Sequence, residues 1–185
     1  YDGAWRIPQT AYPAGRIQDK HSRGYWSMRS GIVDPAANVR SYSDFSQDVA
    51  LPAGKAITLR FQRWPMAPAK AALGATGMAV SIPDDTTTLD EFYRLLATSA
   101  GDLQYEMLIA PPGGKIKYLY TGLADDQRWI DQVFDLSAYG GQTVRLQFGT
   151  YNDGAGAVAA RDSGSSWTLK PLRPRLLPVA TARSR

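Results

Sequence analysis

Polar side chains recur at every second position of three apolar segments of this sequence, and their types suit binding to hydroxyl-rich molecules. In the first segment Arg60, Gln62 and Trp64 alternate with apolar residues. An aromatic ring can stack on the apolar face of a pyranose, while arginine and amide side chains hydrogen-bond to its hydroxyls. The predicted ligand-binding set is Arg60, Gln62, Trp64, Gln104, Glu106, Arg145, Gln147 and Tyr151.

These side chains form one site only if their strands belong to the same sheet, which the sequence leaves open. The competing explanation is a solvated outer face of a sheet. A second candidate site is at the loop tips, among Tyr120, Asp125, Asp126 and Asn152. Ordinary turn chemistry competes with it, because Asp and Asn favour turns. Trp26, Trp129 and Trp167 sit inside apolar strand patterns, which predicts that they are core residues.

Catalytic motifs are sparse. His21 is the single histidine and lies in a polar segment, and the Gly-x-Ser-x-Gly pattern of a nucleophile elbow does not occur. Phosphate-binding and dinucleotide-binding glycine motifs do not occur either. A glycan-active enzyme would need two carboxylates about 5–10 Å apart, for which Glu106 and Asp126 are the candidates. The sequence therefore favours a non-catalytic protein that requires no cofactor.

The net charge of +4 comes from the C-terminal end of the chain. Lys and Arg number 21 against 17 Asp and Glu, and four arginines fall in residues 173–185, so the remainder is balanced. No basic block interleaves with aromatic residues as in RNA-binding sheets. This pattern argues against a nucleic-acid partner.

Other features of the composition point to a globular β protein. Hydrophobic residues make up 44% and charged residues 21% of the 185-residue chain, which is typical of one folded domain. The 17 Gly and 12 Pro residues, with only two Glu, favour strands and turns over helices. Cysteine is absent, which excludes disulfides and cysteine-bound zinc. No apolar run approaches the roughly 20 residues of a membrane span.

Apolar residues with a period of two predict about ten strands, and hence an all-β antiparallel sandwich. The clearest segments are 55–64, 103–109, 115–120 and 143–148. The shorter candidates are Tyr25–Ile32, Ser43–Leu51, Gly77–Ile82, Trp129–Leu136, Ala157–Asp162 and Ser166–Lys170.

One helix interrupts the strand pattern. Residues 86–101 have helical spacing, and Thr88 with Glu91 forms a capping-box sequence. The helix belongs to an insertion over residues 65–101, which is either a functional loop or a helix that closes one open end of the sandwich. We predict a sandwich domain over residues 1–170 and a basic, proline-containing tail or linker over 171–185.

Four stretches together resemble a known family. They are Tyr1-Asp2-Gly3-x-Trp5, Gly24–Gly31, Ser43–Gly54 and Trp129–Gly154. They are similar to segments of carbohydrate-binding-module-like jelly rolls, the galactose-binding-like or MAM-like β-sandwich domains of secreted bacterial proteins. The resemblance implies a jelly-roll fold and a non-catalytic accessory module of an extracellular or cell-surface protein, with weak binding to an oligo- or polysaccharide. The alternative is a structural or protein-interaction spacer without a sugar ligand.

The same resemblance bears on calcium and on neighbouring domains. The family often binds a structural calcium through aspartates of the last strand, where this chain has Ser165 and Ser166. Serine hydroxyls replace charged carboxylates poorly as ligands of a hard cation, although Asp162 and Asp2 could form a shifted site. The chain begins at Tyr1, so we expect it to be part of a longer parent protein with neighbouring domains.

Overall fold

Nine strands and one long helix form in the residues that the computed structural model describes, which are 5–21, 25–31, 39–67, 87–154 and 167–171. The strands are β1 (Gly15–Ile17), β2 (Ser27–Ser30), β3 (Arg40–Ala50), β4 (Thr58–Arg63), β5 (Leu103–Ile109), β6 (Ile116–Gly122), β7 (Ile130–Asp135), β8 (Thr143–Asp153) and β9 (Trp167–Pro171). The helix α1 (Leu89–Thr98) lies between β4 and β5 in the sequence.

The strands form two antiparallel sheets whose pairing is nested. The five-stranded sheet has the order β1-β2-β9-β4-β7, and the four-stranded sheet has the order β3-β8-β5-β6. Strand β2 pairs with β9, β3 with β8, β4 with β7 and β5 with β6. In this nested pattern, strands near the two ends of the chain pair with each other, and strands near its middle pair with each other. Two sheets built from such nested pairs form a jelly roll. The predicted all-β jelly-roll sandwich with one helical insertion is confirmed.

Aromatic residues of both sheets fill one part of the space between them. Phe45 and Phe148 stack on neighbouring strands with ring centroids 5.5 Å apart, and Phe61 of the opposite sheet meets Phe148 edge-on at 5.2 Å. Trp5 packs edge-on against Phe45 at 5.1 Å. Such pairs combine a large buried area with a preferred ring geometry. This cluster therefore holds the two sheets face to face.

Helix α1 covers part of the outer face of the four-stranded sheet. Its residues Phe92 and Leu96 are buried against Leu103, Tyr105 and Met107 of β5. Every residue of β5 is buried, since alternate side chains face the helix and the opposite sheet. The helix thus lies on a sheet face, and it does not close an open end of the sandwich as one interpretation of the sequence had it.

The ends of α1 follow the predicted capping signals. The Glu91 backbone N–H donates to the Thr88 hydroxyl at 3.4 Å, and the Thr88 backbone N–H donates to the Glu91 carboxylate at 2.8 Å. This reciprocal pair is the predicted capping box. The helix is shorter than predicted, because it ends at Thr98, three residues before Gly101, whose φ of 95° lets the chain turn towards β5.

The other strand predictions had mixed outcomes. The bounds of β5 agree with the prediction, whereas β8 extends five residues beyond the predicted segment, to Asp153. The three-residue strand β1 was not predicted. The predicted strands at 77–82 and 157–162 lie outside the described residues, and the proposed domain boundaries stay a prediction. Among the described residues, no helix is long and apolar enough to cross a membrane.

Candidate functional site

The eight predicted ligand-binding residues lie on three different faces, because β4 and β5 belong to different sheets. Arg60 and Gln62 alternate with core residues of β4 and face outward on the five-stranded sheet, where Arg60 pairs with Asp131 at 3.4 Å. Trp64 follows β4 and is half-buried, with its ring 5.7 Å from that of Trp129. These three predicted residues do not join the other five in one site.

Gln104 and Glu106 point into the space between the sheets. The Gln104 side-chain amide donates to the Ala124 carbonyl at 2.9 Å and accepts from the Ala124 N–H at 2.8 Å. Glu106 has no exposed surface. Gln104 therefore anchors the β6–β7 loop, and neither side chain lies on a surface that a polymer could contact.

Arg145, Gln147 and Tyr151 share the outer face of the four-stranded sheet with α1. Tyr151 is buried and donates its hydroxyl to the Ser99 carbonyl, just after the helix, at 3.0 Å. Gln147 is also buried, whereas Arg145 stays partly exposed. Of the eight predicted residues, these three are the ones that share a sheet face with α1.

Strand β3 completes this face, although none of its residues was in the predicted ligand-binding set. It pairs with β8 so that Tyr42 is opposite Tyr151 and Asp48 is opposite Arg145. Along the edge of β3 that faces away from β8, Arg6 exchanges two backbone hydrogen bonds of 2.8 and 2.9 Å with Ser46. We call this surface the β3 strip, formed by Arg6, Tyr42, Asp44, Asp48, Arg145 and Gln147.

Asp44 is the buried floor of the β3 strip. Its Oδ2 accepts hydrogen bonds from the hydroxyls of Tyr93 at 2.5 Å and Tyr105 at 3.0 Å. The Gln147 amide donates to the same oxygen at 3.1 Å. Gly149 leaves the room for this contact, since a Cβ there would lie 2.4 Å from the Tyr105 ring. Burial raises the pKa of Asp44, and the hydrogen bonds offset only part of that rise.

Asp48 lies between two arginines at the accessible end of the strip. Arg145 donates to it through Nε at 2.7 Å and Nη2 at 3.2 Å, which is a bidentate pair. Nη2 of Arg6 lies 2.7 Å from Asp48 Oδ2. The hydrogen bond from Arg145 is the main cause that lowers the pKa of Asp48. This carboxylate therefore stays ionised at neutral pH and holds both guanidinium groups in place.

Tyr42 is the exposed aromatic residue of the strip. The residue is 38% exposed, and its ring lies 4.7 Å from that of Tyr93 on α1 with a tilt of 33°. Tyr93 is itself held by Asp44 and by Gln147, whose amide donates to the Tyr93 hydroxyl at 2.7 Å. Tyr93, whose position is fixed by these hydrogen bonds, therefore supports one side of the Tyr42 ring. Tyr42 itself keeps a large exposed surface.

A second buried carboxylate lies between the sheets. Among the described residues, neither oxygen of Glu106 has a hydrogen-bond partner, and Nη1 of Arg63 lies 4.0 Å from Oε1. The Arg63 guanidinium lies 3.8 Å from the centre of the Tyr120 ring. Burial raises the pKa of Glu106 to about 8, an increase that Arg63 reduces. Glu106 is therefore mostly protonated at neutral pH.

The tryptophans predicted to be core residues are not all buried. Trp26 is 45% exposed, next to Tyr25 at 80%, so the prediction is wrong for Trp26. Arg16 lies over the Trp26 ring at 4.8 Å, which explains how a tryptophan is accommodated at the surface beside β2. Trp129 is half-buried, and the Trp167 side chain lies outside the described part of the chain.

Turn chemistry and packing account for most of the candidate loop-tip site. Asp125 accepts a hydrogen bond from the Ala67 N–H at 2.8 Å, which ties the β6–β7 loop to the segment after β4. Asn152 is buried and accepts from the backbone N–H two residues further on, at 2.8 Å. Tyr120 packs under Arg63. Asp126 is the exposed member of the four.

The described residues contain no group of three or more His, Cys, Asp or Glu side chains that could hold a metal ion. The residues considered for calcium, which are Asp2, Asp162, Ser165 and Ser166, lie outside those residues. The single histidine, His21, is exposed, with Nδ1 3.1 Å from the Gln18 carbonyl oxygen. The calcium prediction is therefore not tested.

Comparisons with known proteins found matches among solved structures. No family model and no curated protein matches the sequence. Among solved structures, a carbohydrate-binding module of the β-sandwich superfamily with promiscuous specificity matches 89% of this chain at 8% identity, with a TM-score of 0.45. This chain spans 53% of that protein's length.

Two further modules match over most of both chains. One is TmCBM61 in complex with β-1,4-galactotriose, with 10% identity, 90% of this chain and 84% of that chain covered, and a TM-score of 0.47. The other is the CBM22-1 xylan-binding domain of Paenibacillus barcinonensis Xyn10C, with 11% identity, 96% and 88% covered, and a TM-score of 0.44. The nested strand pairing of this chain by itself defines a jelly-roll fold.

Proposed function

We propose that this chain is a non-catalytic carbohydrate-binding module that binds a glycan along the β3 strip. The observation that carries the proposal is the exposed Tyr42 ring, which lies on the same face of β3 as the hydrogen-bonding pair Asp48–Arg145. A ring for the apolar face of a sugar and charged groups for its hydroxyls are the two contacts that a glycan needs.

The groups of the β3 strip are held in position before any ligand arrives. Asp44 and Tyr93 fix the support beneath Tyr42, and Asp48 fixes Arg145 through two hydrogen bonds. Binding to ordered side chains loses less conformational entropy than binding to mobile ones. This order favours recognition even for a weak ligand.

Helix α1 limits where a polymer can lie on this face. It covers the β5 side, where Tyr105, Met107 and Ile109 are fully buried. The accessible surface follows β3, along which side chains of one face recur at intervals of about 7 Å. A glycan chain would therefore lie parallel to β3, beside the helix.

The absence of catalysis and the accessory role in a secreted protein are also part of the proposal. The carboxylate on which the enzyme hypothesis depends, Glu106, is sealed between the sheets, which favours a binding role. The sequence resemblance supports secretion and an accessory role beside neighbouring domains.

Affinity gel electrophoresis tests the proposed site. The wild-type chain should be retarded by at least one gel that contains xylan, β-1,4-galactan or polygalacturonate, and Tyr42→Ala should lose the retardation. Tyr42→Phe keeps the ring and should keep binding. Trp26→Ala removes an exposed aromatic residue on the other sheet and serves as the matched control.

Two results would contradict the proposal. One is equal retardation of the wild type and Tyr42→Ala, provided that circular dichroism shows both to be folded. The other is migration unaffected by all three polymers, which would favour the spacer alternative.

A further inference from the structure

We propose that the glycan bound by the β3 strip is acidic and that its carboxylates contact Arg145 and Arg6. This inference rests on the proposed function, because it names the class of ligand for the same surface. It comes from the ratio of charges at the accessible end of the strip, where two guanidinium groups share the one carboxylate of Asp48.

The hydrogen bonds to Asp48 leave donors available on both arginines. A guanidinium has five N–H groups in a planar fork. Arg145 directs Nε and Nη2 at Asp48, and Arg6 directs Nη2 at it. Both side chains retain exposed surface, and Arg6 is the more exposed. A second carboxylate, supplied by a ligand, would balance the second guanidinium and could bind it with bidentate geometry.

Asp44, the other carboxylate of the β3 strip, does not balance the charge of the second guanidinium group. Asp44 is buried, its pKa is raised by burial, and Oδ2 already accepts hydrogen bonds from Tyr93, Tyr105 and Gln147. Its distance along β3 from Asp48 is four residues, or about 14 Å of extended strand. The positive excess therefore stays at the end formed by Arg6 and Arg145.

The opposite sheet shows that this excess is local. On the outer face of the five-stranded sheet, Arg60 pairs with Asp131 at 3.4 Å, which is one guanidinium for one carboxylate. Without residues 173–185 the whole chain has 17 basic and 17 acidic residues. Two arginines on one aspartate are thus a feature of the β3 strip, and not of a generally basic protein.

The distance between the aromatic and the charged ends points to a chain rather than a single sugar. Tyr42 and Asp48 are six residues apart on the same face, which is about 20 Å along an extended strand. A monosaccharide cannot reach both ends. A polyuronate could stack one residue on Tyr42 and place a carboxylate of a later residue at Arg145.

Polygalacturonate and its fully methyl-esterified form provide the direct test, because they share a backbone and differ in charge. Affinity electrophoresis should show stronger retardation by the acid form, and retardation should decrease as salt is added. The variant Arg6→Gln/Arg145→Gln should bind polygalacturonate about fivefold to tenfold more weakly. Arg60→Gln, which removes one positive charge from the other sheet, should bind like the wild type.

The outcomes separate this inference from the proposed function. Equal or stronger binding to the methyl ester, or to xylan or β-1,4-galactan, with loss on Tyr42→Ala would overturn the acidic ligand and leave the glycan site intact. Unchanged polygalacturonate binding by the double arginine variant would also overturn it. Failure to bind any polymer would overturn both.

Discussion

Two buried carboxylates on opposite faces of the four-stranded sheet differ in the hydrogen bonds that they accept. Asp44 faces α1 and accepts three hydrogen bonds on one oxygen. Glu106 faces the opposite sheet and accepts none from the residues that the structure describes, while Arg63 lies 4.0 Å away. Burial raises the pKa of both groups. The cost of burying a carboxylate is thus offset in part by hydrogen bonds at Asp44 and by protonation at Glu106.

The contrast indicates what each carboxylate contributes. Asp44 links the sheet to α1 through Tyr93, so its loss should loosen the support beneath Tyr42. Glu106 forms no hydrogen bond with a neighbour among the described residues, and the cost of burying its charged form exceeds the part that Arg63 offsets. Removing the charge of the two residues should therefore change the free energy of unfolding with opposite signs.

The largest expected effect is the pH dependence caused by Glu106. Its pKa is about 8 in the folded protein against 4.5 for an unperturbed glutamate, so the folded state binds the proton more tightly. The free energy of unfolding should decrease by about 1.4 kcal/mol per pH unit as pH rises from about 4.5 to about 8, a total of up to about 5 kcal/mol. Glu106→Gln cannot ionise and should lack this decrease. Urea unfolding at pH 5, 7 and 9 measures it.

The exposed carboxylate Asp126 supplies the control for this experiment. Asp126→Asn should follow the wild type at each pH, since the residue lies at the surface. If Glu106→Gln is less stable than the wild type at pH 9, the carboxylate is ionised and stabilising in the folded state, and the contrast with Asp44 fails.

A smaller loss of stability is expected when Asp44 is removed. Asp44→Ala leaves the buried hydroxyl of Tyr105 and part of the Tyr93–Gln147 network without an acceptor, which should cost about 2–4 kcal/mol. The change should also weaken glycan binding, because Tyr93 supports Tyr42. Chemical denaturation at pH 7 and affinity electrophoresis measure the two effects. A variant with wild-type stability would show that this network does not hold the helix.

The smallest of these stability effects concerns the start of α1. Thr88→Ala removes the capping hydroxyl and should reduce the free energy of unfolding by about 1 kcal/mol. Thr98→Ala, at the exposed last turn of the same helix, is the matched control. Because Asp44 and the apolar side of α1 hold the helix on the sheet, Tyr42 should keep its place and polymer binding should change little. Loss of binding in Thr88→Ala would indicate that the cap positions the strip more than Asp44 does.

The architecture could be predicted because strand periodicity and capping are local properties of the sequence. The alternation in residues 103–109 predicted β5 with its observed bounds, and Thr88 with Glu91 predicted the start of α1. Strand β1 has only three residues, which is too few for a periodic pattern.

The site could be predicted only in part, because sheet membership depends on pairing over long distances along the chain. Arg145 and Arg60 both lie on outward faces, yet β8 and β4 belong to different sheets. Tyr42, Asp44 and Asp48 alternate as a strand face would, but polar Ser43 and Gln47 on the other side of β3 obscured that pattern. The pairing of Asp48 with Arg145, 97 residues apart, had no signal in the sequence.

NMR titration with oligosaccharides of galacturonic acid and of β-1,4-galactose, each long enough to span the roughly 20 Å between Tyr42 and Asp48, tests the central claim most directly. We expect one or both to shift the backbone amide signals of residues 42–48 and the side-chain Nε signal of Arg145. The signals of Arg60, Gln62 and Val133 on the five-stranded sheet should stay unchanged. Shifts confined to that sheet, or to the surface around Trp26, would contradict a glycan site on the β3 strip.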